Sequence, residues 1–222
     1  MITKFFGMYP SCNFQLLFSG KRRLYSLLYL LIFFICSLLV GCASFVFKSS
    51  VVETKIIEAG GVTPSINFEF IGRVLVKNED KGFSGGVRWS HISTVDNVNL
   101  LSPFGQVVAE IESNESAALL TTSEQRTYRA TNVENLTKKV LGWRLPILGL
   151  QYWVRGVNSP KTKSEIDRDV DGRVIGIRQD GWMIIYTSYF PSQLIKAEQP
   201  RVLVLKRSNL KIKLVIDNWE TK

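Results

Sequence analysis

The strongest constraint on the fold is an alternation of apolar and polar residues that starts at Phe68 and is interrupted by turn signals at short, regular intervals. In "FEFIGRVLVK" (68–77), Phe68, Phe70, Gly72, Val74 and Val76 fall on one face. A repeat of two is that of a strand with one buried side. The pattern recurs in "FSGGVRWSH" (83–91), "VDNVNLLS" (95–102), "QVVAEIE" (106–112), "SAALLTT" (116–122) and "QRTYRA" (125–130). Turn residues separate these runs, including Pro103-Phe104-Gly105 and Ser113-Asn114-Glu115. Short strands at this spacing argue for an antiparallel meander that curls into a barrel. Gly85-Gly86 fits no phosphate loop and is expected to form a bulge that bends its strand.

The period then lengthens. "TNVE" (131–134) has the form of a capping box, with Thr131 as cap and Glu134 reaching back. Val133, Leu136, Val140 and Leu141 recur at helical spacing up to Gly142. Pro146 suits the first turn of a second helix, "PILGLQYWVR", ended by Gly156. Strands resume in "EIDRDV", "RVIGIRQ", "WMIIYTSYF", "RVLVLKR" and "LKIKLVID", with turns at Asp171-Gly172, Asp180-Gly181 and Ser208-Asn209. In the last strand Ile212, Leu214 and Ile216 alternate with Lys211, Lys213 and Val215, which leaves one face mostly wet. The expected class is mainly β with helices (α+β). The pattern gives about eleven strands curling into a barrel and two main helices.

The N-terminal segment reads as an address. Lys21, Arg22 and Arg23 precede 17 mostly apolar residues, 24–40, and then Gly41-Cys42. A basic cluster before such a run is a signal sequence or a membrane helix. "LVGC" (39–42) resembles the lipobox of bacterial lipoproteins, in which the Cys is lipidated and becomes the first residue of the mature chain. That resemblance implies a removed signal peptide over 1–41 and a lipidated Cys42. Residues 42–66 then form a flexible tether, with a short helix possible around 51–58, and 67–222 form the folded domain. Ala43, rather than Asp, after the Cys is compatible with outer-membrane residence in Gram-negative lipoproteins.

The other two cysteines, Cys12 and Cys36, lie in the removed segment, so neither a disulfide framework nor a thiolate metal site is expected. The net charge of +9 includes Lys4, Lys21, Arg22 and Arg23; the rest has 24 bases against 19 acids and no basic run longer than a pair. Such dispersed charge argues against nucleic acid as a partner and suits acidic partners or anionic lipid.

Catalytic signals are sparse. His91 is the one histidine and has no second His or Cys nearby, so zinc is not expected. No Gly-x-Ser-x-Gly elbow is present, and His91 reads as a surface or hydrogen-bonded residue. Asp167, Asp169 and Asp171 lack the distant Glu of a calcium loop and read as a solvated face. No cofactor is expected. Aromatic residues stand out instead: Trp89, Trp143, Trp153, Trp182, Trp219, Tyr152, Tyr186 and Tyr189. They either fill a core or line an apolar cavity beneath the helices. The segment "GWRLPILGLQYWVRG" is apolar on nearly every side and must be buried or face another apolar object.

"GRVLV" (72–76), "FSGGVRW" (83–89), "LLSPFGQ" (100–106), "LGWRLPILGLQYWVRG" (141–156), "QDGWMIIY" (179–186) and "LKIKLVIDNW" (210–219) together resemble the LolB family. The likeness covers about residues 68–219 with the motifs in order. It implies an open, incompletely closed antiparallel β-barrel with the helices as a lid over a hydrophobic cavity, in an outer-membrane lipoprotein that is not an enzyme and acts as a monomer on the periplasmic face. Such a protein takes acylated lipoproteins from the carrier LolA into a hydrophobic cavity and passes them to outer-membrane lipid. Cavity walls are expected from Trp89, Leu100, Trp143, Leu148, Tyr152, Trp153, Trp182 and Tyr186. The turn Pro103-Phe104-Gly105 matches a family loop that projects an apolar residue, usually Leu, needed for delivery. Phe104 either serves that role or folds back on neighbouring strands. The competing class is a structural lipoprotein of an envelope assembly machine, without a cavity.

Overall fold

The computed structural model describes Leu30 and residues 50–60, 67–79, 81–191 and 199–220. The signal segment apart from Leu30, Cys42, and the tether stretches 42–49 and 61–66 lie outside the described residues. Among the described residues no helix is long and apolar enough to cross a membrane.

Twelve strands form one antiparallel sheet. They are β1 (Glu53–Ile57), β2 (Phe68–Lys77), β3 (Gly82–Ile92), β4 (Val95–Leu101), β5 (Val107–Ser113), β6 (Ala118–Thr122), β7 (Thr127–Ala130), β8 (Ser164–Arg168), β9 (Val174–Gln179), β10 (Trp182–Tyr189), β11 (Pro200–Arg207) and β12 (Leu210–Glu220). Their order is β1-β8-β9-β10-β11-β12-β2-β3-β4-β5-β6-β7. Two meanders, β2–β7 and β8–β12, are therefore joined where β12 pairs with β2, Ile216 opposite Gly72. The sheet stays open, with β1 and β7 as its edges. Helices α1 (Val133–Leu141) and α2 (Ile147–Trp153) form the connection between the meanders. They cover the inner face, to which Val133, Leu136, Ile147, Leu150 and Trp153 contribute core side chains.

The alternation behaves as its period demands. Phe68, Phe70, Val74 and Val76 are buried, whereas Arg73, Leu75 and Lys77 face outward. Ile212, Leu214 and Ile216 are buried, and Lys211 and Lys213 are exposed. Hairpin turns also fall where expected: Asp180 and Gly181 both adopt positive φ (52° and 75°), the geometry a two-residue turn between twisted strands requires.

Four local expectations need correction. Residues 53–57, placed in the tether with a possible helix, form strand β1 and pair with β8, Thr54 opposite Asp167. Sequence spacing alone could not reveal this, because the partner edge is non-local. The cap of α1 is Asn132, not Thr131: Asn132 Oδ1 accepts from the Asn135 N–H at 2.9 Å, and Glu134 faces Arg207 at 3.6 Å. Pro146 is the cap of α2 rather than a residue of its first turn. Gly85-Gly86 makes no bulge, since β2–β3 register runs unbroken through both. The glycines serve close approach instead: a Cβ at Gly85 would lie 1.9 Å from the Leu101 carbonyl oxygen.

Candidate functional site: an apolar loop tip and an aromatic interior

The β4–β5 hairpin turns through residues 102–106. The Gly105 N–H donates to the Ser102 carbonyl at 2.9 Å, and the Ser102 N–H donates to the Gln106 carbonyl at 2.8 Å. The Ser102 hydroxyl accepts from the N–H groups of Phe104 (3.3 Å) and Gln106 (3.2 Å). Pro103 presets φ for the second turn position, and Gly105 supplies the φ of +82° that follows. The turn is thus ordered by its own backbone, and Phe104 at its tip is 92% exposed. It does not fold back on the strands.

The eight residues expected to wall a cavity come together on the inner face. Trp89, Leu100, Trp143, Trp153, Trp182 and Tyr186 are buried in one contiguous core, and Leu148 and Tyr152 pack half-buried against it. The polar ends of Trp89, Trp153 and Tyr186 are tied down, whereas the buried Trp182 Nε1 has no hydrogen-bond partner among the described residues. Trp153 Nε1 donates to Gln179 Oε1 at 2.9 Å, and the Tyr186 hydroxyl donates to the Trp153 carbonyl at 2.8 Å. Burial pushes the Tyr186 hydroxyl well above its ordinary pKa, so it stays a neutral donor. Gly149 is required here: a Cβ on it would lie 2.6 Å from the Trp153 ring, which folds back over the helix. Phe68, Phe70, Trp89 and Trp219 form a second aromatic cluster with ring centroids 5.3–6.1 Å apart. Trp143 and Trp182 also line an open cleft of about 260 Å³, with Lys138, Arg144 and Arg207 at its rim.

Two polar residues have roles that spacing does not suggest. Gln179 accepts from Trp153 and from the Ser159 N–H, and donates to the Ser159 and Thr162 carbonyls. Asp96 Oδ1 accepts from Trp89 Nε1 at 2.8 Å and sits 2.9 Å from His91 Nδ1. Both occupy inward positions of alternating strands, beside Ile177 and Val98, and a polar residue in an apolar phase was the available signal. His91 is buried and hydrogen-bonded. Asp167 corrects its expectation: it is buried, not part of a solvated face. Its carboxylate accepts from Arg178 at 2.6 and 2.8 Å and from the Thr54 hydroxyl at 2.7 Å. Asp169 and Asp171 do lie on a turn that Asp169 Oδ1 caps. Among the described residues no group of three or more His, Cys, Asp or Glu could hold a metal.

The described residues thus form an open antiparallel sheet with helices over an aromatic inner face, and an ordered loop with an apolar tip. The family model "Outer membrane lipoprotein LolB" matches residues 66–219, and the chain belongs to this family. It is 41% identical over 185 residues to the outer-membrane lipoprotein LolB of Nitrosomonas europaea, covering 82% of this chain and 87% of that one. It is 39% identical over 150 residues to the LolB of Thiobacillus denitrificans, covering 68% and 78%. Among solved structures, a LolA superfamily protein of Nitrosomonas europaea is 12% identical with a TM-score of 0.39, covering 72% of this chain and 88% of that one.

Proposed function

We propose that this protein receives acylated lipoproteins from a LolA-like periplasmic carrier and inserts them into the outer membrane. In this reading residues 1–41 are removed and lipid on Cys42 holds the domain at the periplasmic face. Exposing one acyl chain of about 14 methylenes to water costs about 11 kcal/mol. No step of the transfer can therefore leave the chains wet. The inner face offers the shelter. The cleft at Trp143 and Trp182 is the entrance, and α2 must lift for the chains to reach Trp89, Leu100, Trp153 and Tyr186, with Leu148 and Tyr152 moving with the helix. Because the chain carries no nucleotide-binding motif, direction comes from graded affinity. The interior holds chains more tightly than the carrier does and less tightly than the bilayer.

The observation that carries this reading is Phe104, 92% exposed on a turn whose backbone N–H groups at Ser102, Phe104, Gly105 and Gln106 all donate within it. Burying a Phe side chain contributes about 1.5–3 kcal/mol. That is far too weak to anchor a lipidated protein, and enough to aim it. The test is transfer between purified components. A carrier loaded with labelled lipoprotein is mixed with the protein and liposomes. Phe104→Glu is expected to take up cargo from the carrier at the normal rate and to deliver it to the liposomes about tenfold more slowly, the factor expected for losing ~1.5 kcal/mol. Normal delivery by this variant would overturn the proposal.

A further inference from the structure

On the outer face, away from the aromatic interior, the strand register sets lysines directly against one another. Lys211 of β12 is opposite Lys77 of β2 on one side and Lys206 of β11 on the other. Lys213, the next outward residue of β12, lies opposite Leu75 and Val204. All four lysines are exposed, and none has an ion pair among the described residues. Like charges directly across a ladder oppose folding, so this row is not there for the stability of the sheet. Glu79, in the adjoining turn, is engaged by Asn209, and Asp217 is engaged by Arg73 in a two-point contact at 2.6 and 2.9 Å.

The lysine row opens onto an apolar cleft of about 570 Å³. Leu75, Leu101 and Val215 form its walls, and Gly85 and Gly86, on which Leu101 packs closely, lie in its floor. Lys213 and Arg73 stand at its rim, and Ser102, Pro103 and Gly105 close its end. The cleft therefore runs beneath the loop that carries Phe104. We propose that this outer face is an anionic-phospholipid site: Lys77, Lys206, Lys211 and Lys213 engage lipid phosphates while Phe104 and the cleft meet the acyl region. Charge complementarity and continuity with the exposed tip favour a bilayer over an acidic protein. The proposal rests on the membrane-facing reading of Phe104 and adds a lipid-charge preference to it.

The test uses the full-length chain reconstituted in vesicles of phosphatidylcholine alone, or of phosphatidylcholine with an equal share of phosphatidylglycerol. Lysine acetylation by a soluble reagent is followed residue by residue by mass spectrometry. Lys139, exposed on α1, serves as the internal reference. Acetylation of the four row lysines is expected to slow about fivefold in the anionic vesicles only, the Boltzmann factor for ~1 kcal/mol per lysine at an anionic surface. High salt should restore it. Equal rates in both vesicles, or protection that appears only when the carrier protein is added, would overturn the proposal. Cargo delivery is measured in the same samples. Delivery that proceeds with the lysines unprotected removes this site and leaves the transfer function standing. Failed delivery by the wild type with the lysines protected does the reverse. A Lys77→Gln/Lys211→Gln/Lys213→Gln variant should deliver equally to both vesicle types; if it keeps a preference for anionic vesicles, the row is not the source of that preference.

Discussion

In strand β12, Ile212, Leu214 and Ile216 enter the core, while Lys211, Lys213 and Val215, one residue out of phase, face outward beside Leu75 and Arg73. The inner set is continuous with a core of thirty buried apolar residues, whose tryptophan and tyrosine polar atoms are mostly bonded to Gln179, Asp96 or backbone carbonyls. The outer set contains like charges face to face and a cleft floored by glycine. One face is thus arranged for packing, and the other against it. The difference teaches that packing and the proposed lipid contact fall on opposite sides of the same strands, so each can be perturbed without the other.

The largest effect is expected on the inner face. Trp153→Ala removes one of the largest fully buried side chains and strips Gln179 Oε1 of its indole donor. Large-to-small changes of this kind cost about 3–5 kcal/mol. Leu75→Ala on the outer face removes a side chain already 36% exposed and should cost under about 1 kcal/mol. Urea denaturation midpoints of the two variants measure the contrast directly. Comparable losses would mean that the outer face is packed as the inner one is.

A middle-sized effect separates the sheet edge from both faces. Strand β1 is held to β8 by backbone pairing and by the Thr54–Asp167–Arg178 chain of hydrogen bonds. Arg178 and Thr54 hold the Asp167 carboxyl below the usual carboxylate range, against the opposing effect of its burial. A depressed folded-state pKa means that this contribution is present above the unfolded value, near 3.9, and is lost as pH falls through the folded value. Amide exchange at residues 53–57 should therefore accelerate relative to β2 as the solution is acidified below about pH 4. Asp167→Asn should show fast exchange already at neutral pH, with a loss of about 1 kcal/mol. If 53–57 exchange in step with β2 at every pH, the edge is not a separate unit.

How far these features could be read from the chain follows the range of the interactions. The alternation from Phe68, the Asp180-Gly181 turn and the apolar stripe of α1 depend on near neighbours, and all fall where expected. Asn132 displaced Thr131 as cap because both residue types can accept the bond, and only the backbone decides between adjacent candidates. β1 lies exposed from Glu53 to Ile56 and so carries no alternating buried face, and its partner β8 is far along the chain. The eight aromatic and aliphatic interior residues were legible as apolar anchors. Gln179 and Asp96 are polar residues inside an apolar phase, and such a residue has meaning only once its partners are placed. The lysine row needed the register of β11, β12 and β2 before any two of its members could be seen as neighbours.

The smallest expected effect is also the one with an unusual sign. Lys211 faces Lys77 and Lys206 across the ladder, so Lys211→Glu converts two repulsive pairs into attractive ones. Each opposite-charge cross-strand pair contributes about 0.2–1 kcal/mol relative to a neutral one. In a domain of this size a gain of ~1 kcal/mol raises the melting temperature by about 2–4 °C. The same substitution should weaken the response of the outer face to anionic lipid. A variant that is more stable and less responsive would show that the row is kept at the expense of the fold. If the melting temperature falls instead, the lysines are relieved by side-chain spreading into solvent. The outer face would then be electrostatically neutral toward folding, and the contrast between the two faces would narrow to packing alone.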